Sequence, residues 1–180
     1  MAARVRRALL VVLATCSLAA CATSGAPRAS APPPASIGPA LTVSPAVGLT
    51  RGELVRALGA KQLVLTDTQS PFRPPEGPAL TIAPRAVYQV VLPDDPTKGF
   101  IVVYEFPDPA RAAAAGADQA AYLASGPGRI QAPDGEIHIL RQVGSTIVFY
   151  SWIPEGAQDA RAPGIQAALE ALGLGIRIPG

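Results

Sequence analysis

The sequence predicts an α+β fold, an antiparallel sheet with helices packed on one face. Two runs of the form strand, strand, helix carry that expectation: residues 86–92, 99–106 and 109–124, then 136–143, 146–153 and 159–172. The connections inside each strand pair are short and turn-rich, Pro93-Asp94-Asp95-Pro96-Thr97-Lys98 and Gly144-Ser145, and favour antiparallel hairpins over parallel crossovers.

In chain order, a single domain is expected over residues 48–180. Thr50 and Glu53 have the spacing of a capping box, and Leu54, Val55 and Leu58 form an apolar stripe before Gly59 ends a first helix. Residues 62–66 read as a short strand. Residues 67–78 are rich in Pro, Gly and polar side chains and read as a loop, and Ala79 to Ile82 as a brief edge strand. The first hairpin follows, then Asp108 caps an alanine-rich helix stopped by Gly126-Pro127-Gly128. Gly144 supplies the positive φ that a two-residue turn needs in the second hairpin. The last helix closes at Gly173.

The central strands are apolar on both sides. Phe100, Tyr104 and Phe106 alternate with Ile101 and Val103, while Tyr150 and Trp152 alternate with Ile147, Phe149 and Ile153. Half-solvated antiparallel strands alternate apolar with polar, so this pattern requires cover on both faces. The two long helices cover one face; the opening helix with the 67–78 loop, a second copy of the chain, or a ligand would cover the other.

Ahead of the domain, Arg4, Arg6 and Arg7 precede a run, Ala8 to Ala20, that is apolar apart from Thr15 and Ser17. Thirteen residues make a helix of roughly 20 Å against a hydrocarbon core of roughly 30 Å, the length of a signal-peptide core and not of a span. The run ends in Leu18-Ala19-Ala20-Cys21, which resembles the bacterial lipoprotein signal, the lipobox. That resemblance implies a signal peptide over 1–20, a diacylglyceryl group on the Cys21 thiol, and a chain exported and anchored to a membrane. Ala22 follows the cysteine where Asp would retain a lipoprotein at the inner membrane, which permits delivery to an outer membrane where one exists. Residues 21–47 then form a lipidated Cys and a tether of Ala, Pro, Ser, Thr and Gly, too poor in bulky apolar side chains to offset the entropy of ordering. In the domain, Ser70-Pro71-Phe72 and Val103-Tyr104-Glu105-Phe106-Pro107-Asp108 resemble uncharacterised bacterial lipoproteins over residues 50–173, a likeness that brings no activity with it.

Removal of the leader leaves no cysteine in the domain, because Cys16 departs with it and Cys21 carries lipid. An exported domain without disulfides relies on its hydrophobic core. The formal charge of +2 includes the three leader arginines; without them, 12 basic residues face 13 acidic ones. That balance argues against a nucleic-acid partner.

Chemistry-bearing residues are few. His138 is the only histidine and shares a strand face with Glu136 and Leu140. No second His or Cys accompanies it as a metal ligand, and no nucleophile motif is present, so neither a metal, a cofactor nor an enzyme activity is expected. Asp94 and Asp95 have the oxygen chemistry of calcium ligands, but Asp between prolines is expected for turn reasons alone. Glu105, in an apolar strand, calls for exposure at the strand end or pairing with an arginine such as Arg141. The strongest candidate for binding is aromatic: Tyr88, Tyr104, Tyr150 and Trp152 on three strands as a ligand surface, with burial in the core as the plainer reading. The function expected is a membrane-anchored, non-enzymatic module that binds a ligand or partner outside the cytoplasmic membrane. The alternative is an envelope assembly accessory that dimerises or docks on an envelope protein through an apolar sheet face.

Overall fold

The computed structural model describes residues 43–180; the leader, Cys21 and the tether as far as residue 42 lie outside the described residues. Helix α1 spans Pro45–Gly59. It begins inside the expected tether and ahead of Thr50, because Ser44 and Pro45 form the stronger start. The Ser44 hydroxyl accepts from the Val47 N–H at 3.2 Å, and proline at the first turn gives up no helical hydrogen bond. Thr50 is instead an inward residue, buried in line with Val47, Leu54 and Leu58.

Strand β1 is Leu65–Asp67. Residues expected as an edge strand form a helical turn, α2, Pro78–Ile82, where the Gly77 carbonyl accepts from the N–H groups of Leu80 and Thr81. Proline at the first helical position overrides the β-propensity of Thr81 and Ile82. The first hairpin is β2, Arg85–Val90, and β3, Phe100–Glu105. Helix α3, Pro109–Ala124, starts at Asp108 as expected, whose Oδ1 accepts from the Arg111 N–H at 2.8 Å. Gly126-Pro127-Gly128 ends α3 but also opens a further short helix, α4, Gly126–Gln131, because Ser125 caps the restart. The second hairpin is β4, Ile137–Val143, and β5, Thr146–Trp152, with Gly144 at φ 56° in its turn. Helix α5 is Ala162–Glu170, and an unanticipated strand β6, Leu174–Ile176, follows it. Three residues are too few to show a period.

The six strands form one open antiparallel sheet in the order β1-β2-β3-β5-β4-β6. The α+β class and the antiparallel sheet agree with the sequence expectation. The helices, however, divide between the two faces instead of gathering on one. Leu54 and Leu58 of α1 and Ile165 and Leu169 of α5 pack on Val90, Ile101, Val103 and Val148. On the opposite face, Leu80 of α2 and Ala112, Ala115 and Leu123 of α3 pack on Val102, Leu140, Ile147 and Phe149. Gly116 lets α3 approach closely, since a Cβ there would overlap the Ile176 side chain and stand 3.0 Å from Ile147 Cδ1. Strands apolar on both sides are thus covered on both sides by the chain's own helices.

Thr50 joins α1 to the sheet. Its hydroxyl lies 2.8 Å from that of Thr146, which in turn donates to the Val143 carbonyl at 2.8 Å, both fully inside the core. Thr146→Val keeps the shape and removes the bridge, leaving the Thr50 hydroxyl without its partner. A loss of about 2 kcal/mol is expected, within the range for an orphaned buried polar group. Urea unfolding at constant m-value checks this; an unchanged midpoint would show the bridge to be dispensable.

Candidate binding pocket

A pocket of about 240 Å³ opens at the end of the sheet where β3 begins and β5 ends. Phe100, the first residue of β3, stacks on Phe72 with centroids 4.8 Å apart and planes 18° from parallel. Tyr150 and Trp152 reach it from the end of β5. The Trp152 indole N–H donates to Gln166 Oε1 at 3.1 Å, and Gln166 Nε2 donates to Glu170 Oε1 at 2.8 Å, so α5 fixes the indole.

Two carboxylates complete the wall. Asp95 sits in the β2–β3 connection, 8% exposed, with the Thr97 hydroxyl donating to it at 3.4 Å. Its backbone is that of a turn, its N–H bonded to Leu92 O and its carbonyl accepting from the Lys98 N–H. Asp159 ties this connection down: its carboxylate accepts from the Asp94 N–H at 3.3 Å while pairing with Arg161. Those hydrogen bonds from Arg161 hold the Asp159 carboxyl well below the usual carboxylate range. Burial, and then the charge of Asp95, push the Tyr150 hydroxyl above its ordinary value.

Glu136 enters the pocket just ahead of β4. Among the described residues its Oε2 is buried without a hydrogen bond, 3.8 Å from His138 Nε2, and His138 Nδ1 likewise has no partner. The His138 ring stands edge-on to Phe149 at 5.9 Å. Burial lowers the His138 pKa from its ordinary 6.5, with Glu136 opposing the shift. The folded protein therefore disfavours His138 protonation, and the unfolded chain takes up the proton first. Stability falls as pH drops below 6.5 towards the lower folded value. Between about pH 7 and about pH 5, His138→Gln is expected to lose stability less steeply than the parent in thermal unfolding. Parallel pH profiles would overturn this.

The four aromatic residues singled out in the sequence do not share one surface. Tyr150 and Trp152 meet in the pocket. Tyr88 is on the same sheet face but beneath α1, 2% exposed, its hydroxyl without a hydrogen-bond partner among the described residues and its ring under the Arg51 guanidinium at 5.8 Å. It lines a separate cleft of about 500 Å³ by the start of α1. Tyr104 is on the opposite face, fully buried, and its hydroxyl donates to Glu76 Oε1 at 2.6 Å. Glu105 is half-buried beside the Tyr88 cleft and is not paired with Arg141, which donates through Nε to the Leu172 carbonyl at 2.7 Å.

Phe72, Phe100, Asp95 and Glu136 complete the site. Sequence patterning marked Phe100 and Phe72 without connecting them, and marked Asp95 as a turn residue, which it also is. Among the described residues no three His, Cys, Asp or Glu side chains converge as metal ligands, and no helix is long and apolar enough to cross a membrane. Compared with known proteins, the chain matches no family model, no curated protein and no solved structure.

Proposed function

We propose that the chain is a lipid-anchored, non-enzymatic binding module that holds a small molecule in the pocket at the β3–β5 end of its sheet, outside the cytoplasmic membrane. The pocket carries the binding reading: four aromatic rings wall a cavity just below the range of about 300–1,000 Å³ typical of drug-sized ligands. Rings already stacked or hydrogen-bonded lose little freedom when a ligand arrives. The leader, with Leu18-Ala19-Ala20-Cys21 behind its basic and apolar segments, carries the anchoring.

Trp152 is the only tryptophan, so its emission reports on the pocket alone. Titrating the full chain with 2-phenylethanol, a neutral aromatic probe, is expected to shift that emission saturably, and Trp152→Phe serves as the blank. No shift at tens of millimolar, either with this probe or with its charged phenyl analogues, would remove the binding reading. Cys21→Ala is expected to move the protein out of the membrane fraction and to abolish palmitate labelling. Retention of either in the variant would remove the anchoring reading.

A further inference from the structure

Two carboxylates in an aromatic pocket raise the question of what balances their charge. Asp95 is more than nine-tenths buried and lines the pocket, yet among the described residues its side chain accepts only the long hydrogen bond from the neutral Thr97 hydroxyl. Glu136 is 12% exposed at its side chain, and one of its oxygens is buried with no hydrogen bond from the described residues. Among the described residues neither pairs with a lysine or arginine, and the group 3.8 Å from Glu136 is the His138 imidazole, not a permanently charged cation. Lys98 lines the same pocket but is exposed, and it is not ion-paired with either carboxylate. Charges this deeply buried are ordinarily paired, and an unpaired one is costly.

The remaining walls match one kind of partner for those charges. Phe72, Phe100, Tyr150 and Trp152 present π-faces and edges, which attract cations as well as apolar groups. We propose that the pocket selects a ligand with an ammonium or guanidinium head on an apolar stem, the head directed to Asp95 and Glu136 and the stem against the rings. This rests on the binding reading given above for the same pocket. The same chemistry is carried by a free arylalkylamine and by a lysine or arginine side chain of a peptide. The pocket is small enough that a single side chain or a molecule of similar size fills it.

Three probes that share a phenyl body isolate the head group: phenethylamine, 2-phenylethanol and 3-phenylpropionate, each titrated into the full chain with Trp152 emission as readout. The amine is expected to bind at least about tenfold more tightly than the alcohol, and the carboxylate most weakly. Asp95→Asn and Glu136→Gln are each expected to weaken the amine by about tenfold and the alcohol by much less, and an unchanged urea-unfolding midpoint in each variant separates loss of charge from loss of fold. A capped lysine dipeptide run alongside identifies the source: tighter binding than phenethylamine, with the same dependence on the two carboxylates, assigns the head group to a peptide. Equal binding of amine and alcohol, or preference for 3-phenylpropionate, overturns the cationic ligand while leaving the pocket a binding site. Failure of all three probes removes the binding reading itself.

Discussion

Glu76→Ala is expected to cost about 3 kcal/mol, near the lower end of what removing one member of a buried ion pair costs. The Glu76 side chain is 5% exposed and satisfies three donors. Tyr104 donates to Oε1 at 2.6 Å, Arg85 to Oε1 at 2.8 Å and Arg73 to Oε2 at 2.8 Å. Alanine leaves the Tyr104 hydroxyl, on a ring with no exposed surface, without its acceptor, and leaves the Arg85 guanidinium, 19% exposed, without its counter-charge. Arg73 is 52% exposed and returns to water at little cost, which is why the low end applies. Tyr104→Phe removes one donor while the carboxylate keeps both guanidinium groups, so about 1 kcal/mol is expected. In the Tyr104→Phe background, Glu76→Ala should cost less than it does alone, because part of its penalty is the orphaned hydroxyl. Denaturant unfolding of the four proteins measures this. Simple additivity would show that hydroxyl and carboxylate are not coupled.

Gln119→Leu is expected to cost about 3 kcal/mol through the same loop by a different route. Gln119 lies on α3 with no exposed surface. Its Oε1 accepts from the Gly77 N–H at 2.7 Å and its Nε2 donates to the Pro75 carbonyl at 2.7 Å. Leucine fills nearly the same volume, so the loss falls on two backbone groups left without partners at about 1–3 kcal/mol each. Pro75 and Gly77 flank Glu76, so this amide also sets where that carboxylate stands. The Gly77 amide proton should exchange with solvent far faster in the variant than in the parent. Unchanged protection at Gly77 would mean that another group satisfies it.

Both hairpins and α3 were legible in the sequence because each carries its signal locally. The hairpins have apolar runs around turn residues, and α3 has Asp108 at its start with small residues at helical spacing. The first turn of α1 was misplaced because Thr50 and Glu53 satisfy a capping pattern that Ser44 and Pro45 satisfy earlier. Pro78 made a helical turn from residues whose own preference is extended. That both faces of β3 and β5 needed cover was readable from alternation. Which helix covers which face was not, since that depends on contacts distant in sequence. The same limit explains the aromatic site. Alternation places Tyr150 with Trp152, but grouping Tyr104 with them requires the register, and Tyr104 stands opposite Ile147, not Tyr150. Glu76 gave no signal at all: it lies in a loop, its partners Arg85 and Tyr104 come from β2 and β3, and nothing around it marks a buried carboxylate.

The strand order also sets the sequence in which the sheet can assemble. β2 with β3, and β4 with β5, are hairpins joined by short connections, and such units form in about 1–10 μs. The β3–β5 seam is different, since it brings together Ile101 and Tyr150, residues about fifty positions apart whose loop must close before any contact rewards it. The two hairpins are therefore able to form independently and wait for one another. Closing the seam, where Val102 faces Phe149 and Val103 faces Val148, is therefore expected to be slower than forming either hairpin. The pocket lies at one end of that seam and takes walls from both hairpins, so it is complete only once the two have joined.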